Sequence, residues 1–397
     1  MELYTSLADN ESANKKIKLQ LIELNEDILK SMKNNEKLYL KSNSTKSYPV
    51  IVTDNKTYKI RKQNHSNCSM LMNMDRIHRI MDHGDKDIIM TSHERFDNQL
   101  ILSVIDPVLN TSKVPVLENI EQLLTISKNN LTLSEIFTDS SCSTQQFKKL
   151  VVDQMLVDLN NNDDESMTGC YLLSENVVID ILRLILEWFA KNVDQSQISV
   201  AKDGSLESPF LQSFKIGDCV KGVIELQAEK LDHDEMAAPE EMVKSVVKKF
   251  TTFDVEIEDD NMLQKVKLKN PDVIRLFGIS LLKKSFGSVP IDDFLINLKS
   301  RLPFGYNPDI KLDYLKGNYI VENVGVKQQI RYLDESDLSL DVIKRFKELF
   351  GMKREWKVEE IEPFVNRFNT KNTKCEKFLI KYAKVKKVGK KVIVTSR

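Results

Sequence analysis

The order of apolar and polar positions divides the chain into a strand-like stretch and a longer helical one. Between residues 18 and 110 the apolar residues come in short β-prone runs: Leu38-Tyr39-Leu40, Val50-Ile51-Val52, Tyr58-Lys59-Ile60 and Leu100-Ile101-Leu102. Asn, Asp, Ser and Gly clusters such as Asn34-Asn35 and Thr53-Asp54-Asn55 separate them, as turns do. A single helix is predicted to interrupt, from Asn25 to Lys33. Short strands at close spacing predict a barrel-like or sandwich-like region. The runs are too few to close a barrel alone, so its open edges are expected to be completed by partner subunits.

From Val114 the period changes to that of helices. Leu117, Ile120, Leu123 and Leu124 give one amphipathic face, and Thr132 with Glu135 gives a capping box ahead of Ile136-Phe137. Ser143 to Leu159 has apolar residues at helical spacing, Gly169 to Leu173 reads as a short strand, and Val177 to Phe189 is a strongly apolar helix. Helices followed by a ribbon are the order of a winged-helix unit. Residues 191–238 are polar and acid-rich and read as a connection with some strand content. A second helical set begins at Pro239, expected at the first helical position, and continues through Pro271 to Lys284, Pro290 to Leu302 and Ile310 to Tyr319 to a ribbon at Ile330-Arg331-Tyr332. Asp292 and Asp293 suit the positive N-terminal end of their helix. The third set runs from Leu340 to Phe350, stopped by Gly351, then from Trp356 to Phe368. The predicted class is α+β: an N-terminal β-region over 1–113, then three tandem winged-helix units over 114–190, 239–335 and 336–397. Trp356, Ile361, Pro363 and Phe364 are read as core of the last unit.

Charge alters this picture at one place. The chain as a whole stands at net −1, yet Thr373 to Arg397 holds nine basic residues and a single acid, Glu376. Thr373 and Glu376 fit a capping box, which predicts a helix carrying Lys374, Lys377, Lys381 and Lys384 on one face beside Phe378, Leu379, Tyr382 and Val385. Gly389-Lys390 then offers a turn before a short strand, Val392-Ile393-Val394. Lys374, Lys377, Lys381, Lys384, Lys386, Lys387, Lys390, Lys391 and Arg397 are the candidate DNA-binding residues, aimed at a phosphate backbone. The competing reading is a solvated lysine face.

Composition excludes several classes. With 41% hydrophobic and 29% charged residues the chain is an ordinary soluble globular protein. At 397 residues it should hold two to four domains. No apolar run reaches the ~18 residues of a membrane span, and the N-terminus has no apolar signal region. The five scattered cysteines, never in a CxxC, read as free thiols of the cytosol or nucleus.

Catalytic chemistry finds little to rest on. There is no GxxxxGK[ST] loop: Gly389-Lys390-Lys391 lacks the upstream glycine and the following Ser or Thr, so no nucleotide hydrolysis is expected. His78, Asp82, His83 and Asp85 are suitable metal donors, but a spacing of five puts the histidines on different helix faces, and the stretch reads as a solvated polar loop. His93-Glu94 is not an HExxH, because Asp97 stands where the second histidine belongs. No local signature accompanies any Cys or Ser nucleophile. No metal, cofactor or catalytic residue is assigned. Lys59, Arg61, Lys62 and His65, in Thr57 to Asn67, make a basic strand, read either as a nucleic-acid patch or as an edge strand protected by charge.

Several of these stretches together resemble the Dcc subunit family of the alternative, Ctf-type clamp loader linked to sister-chromatid cohesion. The resemblance is carried by KYAKVKKVGKKVIVTSR, Lys381 to Arg397, and by TYKIRKQNHSNCSMLM, Thr57 to Met72. Arg345-Phe346 with Leu349-Phe350, Trp356 and Ile361-x-Pro363 adds to it, as does VPIDDFLINLKSRLP, Val289 to Pro303. The resemblance implies a non-catalytic nuclear subunit. Its N-terminal part would share a β-barrel structure with the small Ctf-family subunit and the tail of the large one. Its last winged-helix units would bind DNA, and the assembled module would engage the catalytic subunit of DNA polymerase epsilon. The sliding clamp is then an indirect partner and no membrane is involved. It also makes Tyr58, Lys59, Ile60, Arg61 and His65 candidates for facing partner subunits instead of DNA. The alternative is a stand-alone winged-helix transcription regulator, which predicts Arg and Asn on the reading helix where this chain has lysine.

Overall fold

The computed structural model describes residues 19–42, 48–75, 89–125, 129–160, 168–192, 211–230, 236–253, 264–325, 327–369, 373–389 and 391–397. The chain is mixed α+β and packs into two compact units, one formed by 1–115, 129–154 and 168–170, the other by 116–128, 155–167 and 171–397.

The first unit holds an open sheet of five strands. These are β1 (Ile22–Glu23), β2 (Tyr39–Lys41), β3 (Val50–Val52), β4 (Thr57–Asp75) and β5 (Ile89–Val104), in the order β1-β5-β4-β3-β2. Helix α1 (Glu26–Lys33) lies between the first two strands, and the Asn25 side chain accepts from the Ile28 amide as its N-cap. The core of this sheet is small: Ile28, Val50, Val52 and Tyr58 are its buried apolar residues. The runs read as short strands at Tyr58-Ile60 and Leu100-Leu102 are parts of two long ones. β4 spans 19 residues and β5 spans 16, paired over most of their length with register shifts after Asn64 and after Leu71. The strands continue through polar sequence because each satisfies the other's backbone. β4 is an inner strand only at its start, paired with β3 at Thr57 to Lys59 and with β5 from Tyr58; from Arg61 on it pairs with β5 alone among the described residues, so the edge-strand reading fails for Lys59 and stands for Arg61, Lys62 and His65.

Helices α2 (Leu133–Asp139) and α3 (Thr144–Asp153) each open on a formed capping box, Thr132 with Glu135 and Ser143 with Gln146. Gln146 also accepts from the Thr57 hydroxyl at 2.6 Å, tying α3 to β4. The helix expected from Ser143 to Leu159 ends at Asp153 instead. Met155 takes φ +56°, a left-handed conformation that breaks the helix, and a strand follows.

That strand, β7 (Leu156–Asp158), lies in the second unit beside β8 (Cys170–Leu173), which also pairs in parallel with β6 (Val116–Leu117). The amphipathic face expected at Leu117 to Leu124 is a strand end followed by a 3-10 turn, Ile120–Leu124, which buries Leu123 and leaves Leu124 exposed. Helix α4 (Glu175–Asn192) crosses the main core, burying Val177, Val178, Ile181, Leu182, Ile185 and Phe189. The region read as a connection, 191–238, contains β9 (Leu211–Phe214) and α5 (Ile216–Lys230). α5 is a core helix: Ile216, Cys219, Val220, Val223 and Leu226 are buried. Gly222 meets the Trp188 indole so closely that a side chain there would collide with it.

Next come α6 (Glu240–Phe250), β10 (Thr251–Phe253) and β11 (Gln264–Leu268), in a small sheet ordered β10-β11-β9. Pro239 stands at the N-cap position of α6, without a side-chain cap and one place earlier than expected. Then follow α7 (Asn270–Lys284), β12 (Val289–Pro290), α8 (Ile291–Arg301), a 3-10 turn at Leu312–Leu315 where a longer element was expected, and the ribbon β13 (Tyr319–Val324) with β14 (Lys327–Tyr332). The order of that sheet is β12-β14-β13.

The chain closes with α9 (Val342–Met352), β15 (Glu355–Lys357), α10 (Val358–Val365), α11 (Cys375–Leu379), β16 (Lys384–Val388) and β17 (Lys391–Thr395), the strands ordered β15-β17-β16. Gly351, expected to stop the helix before it, lies inside α9. Trp356, Ile361 and Phe364 are buried together with Phe346, Leu349, Phe378, Leu379 and Val394, so the core reading of the Trp356 group holds.

Candidate nucleic-acid interface

The basic end of the chain is built on a ribbon more than on a helix. Thr373 and Glu376 make no capping box. The Thr373 hydroxyl donates to Asn369 Oδ1 at 2.9 Å, and Asn369 Nδ2 donates to the Thr373 carbonyl. Asn369 is buried and so wins the threonine. The helix that follows has five residues, begins after Lys374 and has no side-chain cap. It stays short because its two buried residues, Phe378 and Leu379, already reach the core. Tyr382, just beyond it, stacks on Phe346 with ring centres 5.3 Å apart and 15° between planes.

The expected four-lysine helix face therefore does not form. Lys377 is on α11, Lys374 precedes it, Lys381 is in the turn after it, and Lys384 opens strand β16. The turn and the second strand stand where the sequence places them. Gly389 has φ +62°, which glycine adopts without strain, and β17 runs antiparallel to β16. Lys384 pairs with Thr395 and Lys386 with Ile393, so these two lysines share one face of the ribbon. Lys387 pairs with Val392 and falls on the other face, the one on which Val394 is buried.

Lys374, Lys377, Lys381, Lys384, Lys386 and Lys387 are all exposed, and among the described residues none makes a salt bridge. A cation without an acidic partner keeps its whole field for a ligand. Lys391 begins β17, paired with Val388, and Lys390 lies outside the described residues. Arg397 is engaged differently: its guanidinium donates to the Ile380 carbonyl at 2.6 Å and pins the chain end beside α11.

The N-terminal candidates separate by burial. Tyr58 is only 1% exposed and belongs to the unit's own core. Lys59 and Ile60 are half-buried, and the Lys59 ammonium sits 3.5 Å from the centre of the Tyr48 ring. Arg61 and His65 are exposed, as is every residue from Arg61 to Leu71. That part of β4 therefore has no buried face among the described residues.

Burial raises three of the thiols. Burial pushes the Cys142 thiol up to about 11 against the opposing pull of Lys41, and the Cys219 thiol up to about 12. Cys375 is raised to about 11, by burial first and then by Glu362 and Glu376. Such thiols stay protonated and inert at neutral pH. No cluster of three metal-ligating residues occurs among the described residues; His78, Asp82, His83 and Asp85 lie outside them. No described helix is long and apolar enough to cross a membrane.

Two structural features escaped the sequence reading. Arg345 is a fully buried cation whose guanidinium donates to the carbonyls of Ser339, Phe364, Glu335 and Leu338 and to the Glu335 carboxylate. Its signal was only an arginine within an apolar helix face. The other is an open strand edge along β13.

The described residues thus present a basic ribbon on an aromatic core and a sheet whose edge strands pair on one side only. The family model for sister chromatid cohesion protein Dcc1 matches residues 19–365. The chain belongs to that family. It is 25% identical over 382 residues to the sister chromatid cohesion protein DCC1 of Saccharomyces cerevisiae, covering 94% of this chain and 93% of that protein. It is 26% identical over 389 residues to a probable sister chromatid cohesion protein DCC1 of Dictyostelium discoideum, covering 95% and 93%. The family match covers the open sheet, the main core and helix α10; the two relatives also align with nearly the whole length.

Proposed function

We propose that this member of the Dcc1 family is a non-catalytic, nuclear accessory subunit of an alternative sliding-clamp loader, acting in DNA replication and sister-chromatid cohesion. Its N-terminal sheet is completed into a barrel by the large and small Ctf-family subunits. Its C-terminal end binds DNA through phosphates. The assembled module engages DNA polymerase epsilon, and the sliding clamp is reached through the other subunits. Residues 114–190, 239–335 and 336–397 are read as three winged-helix units, with 191–238 joining the first two. The β13–β14 and β16–β17 hairpins, each preceded by helices, support the last two assignments.

The observation that carries the reading is the open sheet of the first unit. Its edge strands β1 and β2 each pair on one side only among the described residues. Apolar side chains are exposed along it, Ile22, Tyr39, Leu40, Met70, Leu71 and Val104 among them. Such a sheet is a template for other chains, and a protein that leaves it bare invites aggregation. A partner that adds strands removes both problems.

The stand-alone regulator is less well supported. The terminal element offers lysines, which are flexible point charges, in place of the Arg and Asn forks that pair with bases. Backbone contact follows from that chemistry.

Co-expression of the full chain with the two Ctf-family subunits tests the reading. One stoichiometric complex of all three is expected on size exclusion. A chain that stays monodisperse and alone in their presence overturns the proposal.

A further inference from the structure

A second binding feature lies in the second unit, beside the basic ribbon, whose strand β17 contributes Ile393 to it. A cleft of about 630 Å³ separates the β13 edge from the β15 edge in the second unit. Tyr319, Val321 and Asn323 line one wall and Glu355 and Lys357 the other, with Ile393 of β17 between. Gly317, at φ +87°, lies close against Pro363 at one margin.

The β13 wall carries usable backbone groups. The Leu333 amide donates to the Asn318 carbonyl, which makes 318 and 333 a hydrogen-bonded pair in the register of this ribbon. Antiparallel pairs alternate. Ile320 with Arg331 and Glu322 with Gln329 therefore bond inward, and Tyr319, Val321 and Asn323 turn their N–H and C=O groups outward, toward the cleft. β14 and β12 occupy the other side of the ribbon, so β13 has no second partner strand among the described residues. No proline or bulge blunts this edge.

Charge selects the occupant. The three lysines at the cleft are held by its own carboxylates: Lys316 by Asp313 at 3.1 Å, Lys353 by Glu360 at 2.6 Å and Lys357 by Glu360 at 3.1 Å. Glu355 and Glu359 line it too and have no ion-pair partner among the described residues. The cleft thus offers two unpaired carboxylates, apolar surface and an open strand edge.

We propose that this cleft docks an extended, basic segment of a partner protein as an added strand on β13. Main-chain hydrogen bonds to Val321 and Asn323 hold the segment. Alternate apolar side chains meet Val321 and Ile393, and its Lys or Arg residues meet Glu355 and Glu359. The clamp-loader reading does not require this surface, so each stands or falls separately.

The test uses the full chain and a fluorescein-labelled nine-residue peptide of alternating lysine and valine. An analogue with the same side chains on a fully N-methylated backbone is the control. The unmethylated peptide is expected to bind at least tenfold tighter than the analogue, and to slow hydrogen exchange at the Val321 and Asn323 amides. The double variant Glu355→Lys, Glu359→Lys is expected to weaken it at least fivefold with the fold intact by circular dichroism. Equal binding of the two peptides, unchanged exchange at those amides, or full affinity in the folded double variant overturns the proposal.

Discussion

Arg345 shows at the scale of one residue how a cation can hold a core together. Its side chain is fully buried, yet every arm of the guanidinium has an acceptor, and the Phe368 ring lies 5.0 Å from it. A planar fork can tie α9 to the loop before it and to the end of α10 at once; a lysine cannot. Arg345→Ala leaves the Leu338 and Phe364 carbonyls buried without a donor. It should cost about 3–5 kcal/mol, read as a lower urea midpoint of the full chain. Arg345→Lys should recover only part of that loss, and stability unchanged in both variants would refute the role. Glu360 makes a second residue-scale case. Burial alone would raise its carboxyl, but Lys353 and Lys357 outweigh burial and hold it below the ordinary carboxylate value. A depressed acid stabilises the fold above its unfolded value of about 4.3, and that stabilisation is lost as pH falls through the lower folded value. The stability gap between the native chain and Glu360→Gln should therefore be widest near neutrality and close on acidification; a gap independent of pH would contradict this. Some of this scale was legible in the sequence. The Thr132–Glu135 box forms as read, whereas the Thr373–Glu376 box does not, because a buried Asn369 four residues upstream takes the threonine. No local spacing rule contains that competitor.

Elements were legible where apolar period and length agreed. Helix α4 stands where its pattern puts it, and so does α7. Helix α5 lies in a stretch read as a connection from its polar, acid-rich character, although Ile216, Cys219, Val220 and Val223 keep helical spacing. Gly222 is there for close approach to Trp188 and not for a turn. The long arm of β4 is not marked by alternation because Arg61 to Leu71 are all exposed. The basic helix proved to be mostly ribbon, since the lysines from 384 onward pair in strands. The proposed phosphate binding then falls to the ribbon and turn lysines. Changing Lys381, Lys384, Lys387 and Lys391 to Glu should weaken binding to all DNA sequences alike. The native surface should neutralise on the order of 4–6 phosphates, giving a log–log salt slope of about −4 to −5 on duplex DNA, and the variant's slope should be flatter. Folding should persist, because buried Phe378 and the Tyr382–Phe346 stack hold the element. A folded quadruple variant with unchanged affinity would leave the lysines as a solvated face.

At the scale of the whole molecule, the second unit has two apolar cores of its own, while the first has a small core under a broad open sheet. Under the proposed function, that contrast separates a self-sufficient body from a sheet that partner chains complete. Composition could bound the class but could not place this contrast, because exposed Leu and Met residues look the same in sequence as buried ones. The central claim is that the open sheet is where partner subunits add. Hydrogen exchange of the full chain, alone and with the large and small Ctf-family subunits, tests it most directly. The account predicts that amides of β1, β2 and Arg61 to Leu71 of β4 exchange rapidly in the free chain and become protected in the complex, while Lys374 to Arg397 changes only when DNA is added. A complex that forms without protecting those strands, or no complex at all, would contradict it.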